Sequence, residues 1–349
     1  MDALKRKISI KELARITGTS ATTVSFVMNG KAEEMRISKS VADKILKASK
    51  QHGYSPNPLA VSLRTGHSNI IMVLVESVSG NFFATLAKVV EAEAEQYGYK
   101  VMYGSTDNNL PKTRDMMKLL RQMNIEGYIV TPVAGMQEDI QLLQAQGKSV
   151  VMVDSYLDKV EAPHVLVDNF EGVVKGMAHL AEAGYSNIGF VTSDLALVQM
   201  AEREKAYKKG LQSHKLPFDK KNVLKIPYGI SREELVHTIA SYLETHKGLD
   251  ALFFATNYLG IAGLEAIGKQ KIKVPKEVAM ICFDDHEAFH TYPGGITVIE
   301  QPIEEIARTS VELLMQQLGK KSAAASGNTG NQKLPPRLIV RGSTKKPVR

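Results

Sequence analysis

The sequence contains little that would support disulfide, zinc or membrane chemistry. Its 349 residues include one cysteine and no tryptophan, and aromatic residues make up 6% of the chain. A single cysteine excludes an internal disulfide and a cysteine-rich zinc site. Because Cys282 lies in the apolar run 278–283, we expect a buried core thiol. No apolar run approaches the ~20 residues that a membrane helix needs, so we expect no membrane partner.

The first residues also lack an apolar signal region, since the polar segment 1–7 leads directly into a predicted helix start. From this we expect a cytoplasmic, nucleoid-associated protein. The chain is too long for one ordinary core, and its 44% hydrophobic and 23% charged residues are typical of globular proteins. Two or three domains are therefore expected.

Positive charge is concentrated near the start of the chain. The formal net charge of the whole sequence is +7. Residues 1–67 contain 12 Lys and Arg against 5 Asp and Glu, whereas the remaining residues contain 32 of each sign. Because the entire excess lies in one segment, the pattern is typical of a module that neutralises DNA phosphates.

The same segment has the pattern of a helix-turn-helix. Ser9 caps a first predicted helix, Gly18 suits the turn that ends it, and Ser20 caps a second helix. A third amphipathic helix follows. The residues predicted to pack inward are Ile10, Leu13, Ala14, Ile16, Val24, Val27, Met28, Val41, Ile45, Leu46 and Ala48. The outward face of the second helix would then meet DNA bases. On the helices alone, the alternative is a three-helix unit with no nucleic-acid role.

Residues 56–68 are predicted to connect this head, residues 1–55, to the rest of the chain. Pro58 and Gly66 bracket a predicted helix of about two turns, which is marginal in isolation. Two interpretations remain open: a plain linker, or a hinge helix that orders only when something binds it.

From residue 69 to 349 the pattern predicts a regulatory domain of alternating strands and helices. Strands are predicted at 70–75, 100–105, 127–131, 149–154, 164–168, 187–192, 223–226, 250–255 and 278–283. Apolar strands separated by helices predict parallel sheets covered on both faces. We therefore predict an α/β domain of two doubly wound subdomains with a cleft between them. The subdomains split near 160–168, the chain crosses back near 296–303, and an exposed loop at 319–332 precedes a last strand at 337–340.

Seven segments in this order resemble the lactose-repressor (LacI/GalR) family of bacterial transcription regulators. They are IKELA (10–14), TVSFVMN (23–29), GYSPN (53–57), SLRTG (62–66), NFF (81–83), CFDD (282–285) and PRLIVRGS (336–343). The resemblance covers essentially the whole chain. It implies a homodimer that binds a near-palindromic double-stranded DNA operator under the control of a small-molecule effector. It also implies that the regulatory domain resembles periplasmic sugar-binding proteins.

The resemblance assigns the DNA contacts by position. Base contacts fall on Ala21, Thr22 and Phe26, and phosphate contacts on Ser20, Thr23, Ser25 and Asn29. Many relatives carry Arg where this chain has Phe26, and Arg is the usual side chain that recognises guanine. Phe26 can offer only apolar contact, for example to a thymine methyl group, unless it turns into the core. The half-site sequence should therefore differ from the common one.

The resemblance also assigns a hinge contact. Leu63, with Ala60 beside it, corresponds to the leucine that inserts into the minor groove and kinks the duplex. An apolar wedge of this kind unstacks a base step, and the bend brings more protein surface onto the DNA. The alternative is that Leu63 packs against the regulatory domain.

For the cleft, the resemblance implies that Asp284 and Arg203 contact the effector. The other expected contacts are Phe82, Phe83, Thr131, Asp154, Tyr228 and Asn257. Aromatic rings at such positions stack on sugar faces and on nucleobases alike. Where relatives often have Asn-Asp, this chain has Thr256 and Asn257, so a charge is lost and the ligand chemistry should shift. A sugar or sugar derivative is the first expected effector, and a nucleobase or nucleoside the second.

Three other classes of protein compete with this interpretation. An enzyme is disfavoured because the chain has none of the phosphate-loop, nucleophile-elbow or zinc-protease motifs; we expect no catalytic residues, cofactor or metal site. A solute-binding protein would have no use for the basic head. An unregulated DNA binder would leave the cleft unexplained. We therefore predict a sequence-specific, allosteric transcription regulator that acts as a repressor.

Overall fold

The computed structural model describes residues 8–55, 66–320 and 330–345. The chain divides into two compact units, Met1–Ser68 and Asn69–Arg349. The predicted hinge contacts Ala60 and Leu63 lie outside the described residues. No helix in the described ranges is long and apolar enough to cross a membrane.

Three helices form the described part of the first unit. They are α1 (Ile10–Thr17), α2 (Ala21–Met28) and α3 (Lys39–Gln51). Leu13, Val24 and Ile45 are fully buried at their common centre, as the apolar pattern predicts. The inward positions assigned to Ile16 and Leu46 are wrong, since each side chain is 41% exposed. At 3.6 residues per turn, both lie on the flank of the buried face rather than on it.

Local sequence determines the helix ends in this unit. Ser9 Oγ accepts a hydrogen bond from Glu12 N at 3.2 Å, and Glu12 Oε2 accepts one from Ser9 N at 2.9 Å. This reciprocal pair is a capping box. Gly18 ends α1 with a φ of 65°, and Ser20 Oγ accepts from Thr23 N at 3.0 Å. The caps predicted at Ser9 and Ser20 and the turn at Gly18 are confirmed, whereas Ser38, which precedes α3, makes no side-chain capping hydrogen bond.

Replacing Ser9 by Ala is expected to lower the local stability of α1 by about 1 kcal/mol, because it removes the acceptor of the capping box. Hydrogen exchange of the α1 amides in the full-length protein measures this loss of protection. Thr22→Ala, at an exposed position of α2, is the matched control and should leave α1 unchanged. Equal protection of α1 in the two variants would contradict the capping argument.

The second unit is built from two sheets and their covering helices. Its helices are α4 (Asn81–Gln96), α5 (Leu110–Gln122), α6 (Gln137–Ala145), α7 (Asn169–Glu182), α8 (Val198–Ser213), α9 (Arg232–Thr245), α10 (Asn257–Lys269), α11 (Glu287–Thr291) and α12 (Ile303–Gln317). Its strands are β1 (Ile70–Val75), β2 (Lys100–Ser105), β3 (Gly127–Val130), β4 (Ser149–Val153), β5 (His164–Val167), β6 (Ile188–Ser193), β7 (Val223–Ile226), β8 (Ala251–Phe254), β9 (Ala279–Phe283), β10 (Thr297–Glu300), β11 (Gln332–Leu334) and β12 (Arg337–Ile339). Short 3₁₀ helices occupy Lys220–Asn222 and Gly342–Thr344.

The two sheets have the same strand order. The first runs β11-β5-β4-β3-β1-β2 and the second runs β12-β10-β9-β8-β6-β7. Strand β12 is antiparallel to β10, and the other strand pairs of the described residues are parallel. The predicted fold class, a helical head followed by two doubly wound parallel sheets, is confirmed.

Each sheet with its helices forms one subdomain. We call the first sheet with α4–α6 and α12 the amino subdomain, and the second sheet with α7–α11 the carboxy subdomain. The chain passes from the first to the second after β5, returns after β10, and crosses to the second again between β11 and β12. Helix α12 is fixed on the first sheet by Gln317, whose Nε2 donates to Val150 O and whose Oε1 accepts from Val150 N, each at 3.1 Å.

The sequence pattern missed two strands. β10 is a run of four residues in a segment assigned only as a crossing point, and β11 is an edge strand of three residues, Gln-Lys-Leu. The loop predicted at 319–332 is wrong at its end, because Gln332 begins β11. A strand this short carries no usable period-two signal. The buried thiol is confirmed, since Cys282 in β9 is 0% exposed and burial raises its pKa.

Candidate functional site

A cavity of about 690 Å³ lies where strands of both sheets end. The loops that follow β1, β2 and β4 line one side of it, and the loops that follow β6, β7, β8 and β9 line the other. The carboxyl ends of parallel strands are the usual place for a ligand in open α/β sheets. Both subdomains therefore contribute walls to the same site.

Seven of the eight predicted effector contacts line this cavity. They are Phe82, Phe83, Asp154, Arg203, Tyr228, Asn257 and Asp284. Thr131 is not among the lining residues, and its side chain is 4% exposed. It follows β3 directly, and its backbone N–H donates to Leu74 O at 2.7 Å. This bond continues the pairing with β1 and keeps Thr131 within the sheet, away from the cavity.

Asp284 is the first residue after β9 and has a left-handed backbone with a φ of 72°. Its Oδ1 accepts a hydrogen bond from Gln301 Nε2 at 2.5 Å. Its Oδ2 lies 3.9 Å from the Nη1 of Arg203. Burial raises the pKa of Asp284, although Arg203 and Gln301 act in the opposite direction. The carboxylate is thus held firmly at the strand end.

Arg203 projects from α8 and is 2% exposed. Its Nε donates to Asn169 Oδ1 at 2.8 Å, and its Nη1 donates to Ala255 O at 2.6 Å. The guanidinium also lies over the ring of Phe283, 3.7 Å from the centroid. Burial lowers the pKa of Arg203, and the neighbouring aspartates oppose that shift. Arg203 therefore lines the cavity and also packs within the carboxy subdomain.

Asp154 occupies the corresponding place after β4 in the amino subdomain. It also has a left-handed backbone, with a φ of 65°, and its Oδ2 accepts from Gln199 Nε2 at 3.0 Å. Burial raises the pKa of Asp154 to about 7. Arg203 lowers that pKa, whereas Asp284 and Glu76 raise it further.

Aromatic side chains cover two sides of the cavity. The Tyr228 hydroxyl donates a hydrogen bond to Glu76 Oε1, and the ring meets Tyr258 edge to face with centroids 6.4 Å apart. Phe82 and Phe83 form a second edge-to-face pair at 5.0 Å. Both phenylalanines are at most 8% exposed and belong to the core of the amino subdomain, so they line the cavity from within its wall.

Several polar groups that line the cavity were not predicted from the sequence, including Glu76, Gln199, Gln301 and Tyr258. Glu76 and Gln301 are the first residues after β1 and β10. A polar residue at the end of a predicted strand, the signal shared by Asp154 and Asp284, would have found Glu76 after β1. It would not have found Gln301, because β10 was not predicted from the sequence. Gln199 lies in the first turn of α8, where no such signal exists.

The predicted DNA contacts lie on or beside α2. Ser20, Thr22 and Asn29 are exposed, and Ala21, Thr23, Ser25 and Phe26 are half-buried. Ser20 Oγ and Thr23 Oγ1 are 2.8 Å apart, and Asn29 Nδ2 donates to Ser25 O at 2.7 Å. Ala21 packs against the buried cluster of the head, whereas Phe26 is not among the side chains of that cluster. The described residues thus do not support the alternative in which Phe26 turns into the core.

Two family models match the chain. Residues 9–57 match the bacterial regulatory proteins of the lacI family, and residues 177–344 match a periplasmic binding protein-like domain. A ribose operon repressor of Halalkalibacterium halodurans is 26% identical over 97% of both chains. The HTH-type transcriptional repressor PurR of Haemophilus influenzae is 25% identical over 97% of this chain and 98% of its own.

Solved structures show the same fold. The Lac repressor dimer bound to operator and the anti-inducer ONPF matches with a TM-score of 0.82 and 20% identity, over 97% of this chain and 99% of its own. A LacI-family regulator from Silicibacter pomeroyi matches with a TM-score of 0.81 and 20% identity, over 97% of this chain and 100% of its own.

A helix-turn-helix head followed by a two-sheet domain with a cavity is typical of DNA-binding transcription regulators. Together the two family models cover more than half of the chain, and the curated relatives match it over nearly their whole length. The chain belongs to the LacI family of bacterial regulatory proteins. Since this family consists of regulators rather than enzymes, the enzyme alternative is excluded.

Proposed function

We propose that the protein is a homodimeric transcriptional repressor whose affinity for a near-palindromic operator is controlled by a sugar or sugar derivative bound in the cavity. The observation that carries this proposal is the set of hydrogen-bond acceptors at the strand ends, above all Asp154 and Asp284, beside the ring of Tyr228. Sugar hydroxyls donate to carboxylates, and the C–H faces of sugar rings stack on aromatic side chains. Two related proteins support the class of effector by their titles: the ribose operon repressor and a regulator CelR solved as a cellobiose complex.

Two hydrogen bonds that cross the cavity suggest how the effector acts. Gln199 of the carboxy subdomain donates to Asp154 of the amino subdomain, and Tyr228 of the carboxy subdomain donates to Glu76 of the amino subdomain. An effector between these groups contacts both subdomains and thus favours one angle between them. A ligand that binds one arrangement better shifts the population towards it. In our proposal this shift changes operator affinity through the segment that contains Ala60 and Leu63.

The DNA contacts follow from the exposed face of the head. Thr22 and its neighbours on α2 contact base edges, and Ser20, Thr23, Ser25 and Asn29 contact phosphates. Ala21 and Phe26 supply apolar surface for thymine methyl groups. Two heads on a two-fold axis bind two half-sites, which makes the operator near-palindromic.

Selection of bound duplexes from a random pool, with full-length protein at two salt concentrations, tests this proposal. We expect an enriched near-palindrome, and Thr22→Ala should weaken binding to it about tenfold while non-specific binding is retained. Ser213→Ala, exposed at the end of α8, is the control and should bind like the wild type. Binding without any enriched sequence would contradict sequence-specific repression.

The enriched duplex then serves as the probe for effectors. Sugars, amino sugars and nucleosides are added to the operator complex, and Asp284→Asn is compared with the wild type. We expect a sugar or sugar derivative to change operator affinity in the wild type and to have no effect in Asp284→Asn. A response to nucleosides alone would favour the second class of effector, and a response that Asp284→Asn retains would contradict the site.

A further inference from the structure

We infer that the effector is a cation, a small polyhydroxylated molecule that carries a protonated amine. This inference rests on the proposed function, because it concerns the chemistry of the molecule that the same cavity binds. Its basis is the balance of charges and hydrogen-bond partners among the residues that line the cavity.

The cavity wall contains more negative than positive charge. Three carboxylates line it without a Lys or Arg hydrogen-bond partner in the described residues: Glu76, Asp154 and Asp284. Arg203 is the sole Lys or Arg among the lining residues that the structure describes. A fourth lining carboxylate, Asp107, already pairs with Lys112 at 2.5 Å and does not add to the imbalance.

Arg203 does not satisfy these carboxylates. Its Nε and Nη1 donate to Asn169 Oδ1 and Ala255 O. Its approach to Asp284 is 3.9 Å, beyond hydrogen-bond distance. The guanidinium is therefore committed to the packing of the carboxy subdomain, and it offsets only part of the negative charge of the wall.

The carboxylates receive hydrogen bonds from neutral groups. Gln199 donates to Asp154, Gln301 to Asp284 and Tyr228 to Glu76. An ionised carboxylate has about four acceptor positions, so each of the three keeps capacity for further donors. The cavity thus presents acceptors in excess.

Two buried amide oxygens point to the same kind of ligand. Gln199 and Gln301 are 5% and 6% exposed, and the Oε1 of each has no hydrogen-bond partner within the described residues. Both residues line the cavity. Buried polar atoms are normally paired, and a ligand rich in N–H and O–H groups supplies the missing donors.

A protonated amine fits this wall better than a neutral or an anionic molecule. An ammonium group has three donors and no acceptor, and it compensates buried negative charge that hydroxyl groups leave in place. The raised pKa values of Glu76, Asp154 and Asp284 have burial as their first cause, which fits carboxylates that lack a cation. A metal ion does not fit, because the described residues contain no group of three His, Cys, Asp or Glu side chains that could hold one.

Matched pairs of sugars test the charge directly. Full-length protein is mixed with D-glucose and D-glucosamine, D-galactose and D-galactosamine, and D-mannose and D-mannosamine at pH 7 and low salt, and its Tm is recorded. A bacterial metabolite extract, separated on a strong cation exchanger at pH 7, supplies unknown candidates. We expect an amino sugar to bind at least tenfold more tightly than its neutral partner, or the retained fraction of the extract to hold the stabilising activity.

The opposite result overturns the inference: a neutral sugar that binds as tightly as its amino partner, or stabilising activity in the unretained fraction. If neither the pure sugars nor any fraction raises the Tm, the proposed function itself fails, which is a different result. Asp154→Asn and Glu76→Gln should each lose the preference for the cationic probe by about tenfold. The control Asp115→Asn, an exposed carboxylate of α5 paired with Lys118, should retain it.

The number of protons released when the ligand binds distinguishes a direct charge interaction with Asp154 from a purely structural role of that residue. A bound ammonium favours the ionised form of Asp154, so calorimetry in two buffers of different ionisation enthalpy should show proton release at pH 6, where the free amine is already protonated. A neutral ligand buries the same carboxyl group further and should give proton uptake. Uptake with the stabilising probe would contradict a cationic effector.

Discussion

Arg203→Met should lower the free energy of unfolding by about 3–5 kcal/mol, the range measured when one partner of a buried ion pair is removed. The Arg203 side chain is 2% exposed. Its removal therefore leaves buried groups without a partner, and bulk water does not replace the lost contacts. The variant loses the hydrogen bonds to Asn169 and Ala255 O. It also leaves the negative charge of Asp284 without its nearest cation.

Denaturant unfolding of the full-length protein at pH 7 measures this loss. Lys205→Met, on the exposed side of the same helix, is the matched control and should change stability by less than about 0.5 kcal/mol. The double variant Arg203→Met with Asp284→Asn should recover part of the loss, because the uncompensated charge is then gone. If Arg203→Met is no more destabilising than Lys205→Met, the guanidinium contributes nothing to the core.

Asp154→Asn should remove a pH dependence of stability. In the folded protein the pKa of Asp154 is raised to about 7, against a reference value of 3.8. The folded state therefore keeps this proton to a higher pH than the unfolded state, and the free energy of unfolding falls as pH rises from about 4 to about 7. At 1.36 kcal/mol per pKa unit, the loss attributable to Asp154 is about 4 kcal/mol.

Urea unfolding at pH 4, 6 and 8 tests the sign and the size of this effect. At pH 4 the variant and the wild type should be nearly equal, and at pH 8 the variant should be the more stable. Glu76 and Asp284 also have raised pKa values, so a smaller slope should remain in the variant. Asp115→Asn should keep the full wild-type dependence. Parallel curves for Asp154→Asn and the wild type would show that Asp154 does not hold its proton to neutral pH.

Much of the fold could be predicted because its signals are local. Ser9 and Ser20 are followed three residues later by the amides that they cap, so short-range sequence determines both helix starts. The longer buried strands, such as β1 and β9, are apolar throughout and need no tertiary information. By contrast, β11 consists of Gln332–Leu334 and exists because β5 offers it an open edge. No local property of the three residues Gln-Lys-Leu could have predicted it.

The residues of the site, like the elements of the fold, could be predicted only where the signal was local. Asp154 and Asp284 could be located because each lies at the carboxyl end of a predicted strand. Thr131 satisfied the same criterion and was misplaced, because its amide pairs with Leu74 and extends the sheet by one residue. Gln199 and Gln301 reach the cavity through helix and crossover geometry, which depends on how the two subdomains pack. The charge balance of the cavity, on which the effector depends, was therefore accessible only from the structure.

The left-handed backbone at Asp154 and Asp284 limits how this regulator can evolve. Outside glycine, asparagine and aspartate, most residues adopt such a conformation only at a cost of about 1–2 kcal/mol, and β-branched residues fit it worst. Substitutions at these two positions are thus biased towards this set of three, of which one is charged. A descendant that answers to a new molecule would keep that set and diversify instead at positions with ordinary backbone, such as Gln199, Tyr228 and Asn257. The two aspartates would then be retained among related regulators, and the residues around them would differ with the effector that each regulator binds.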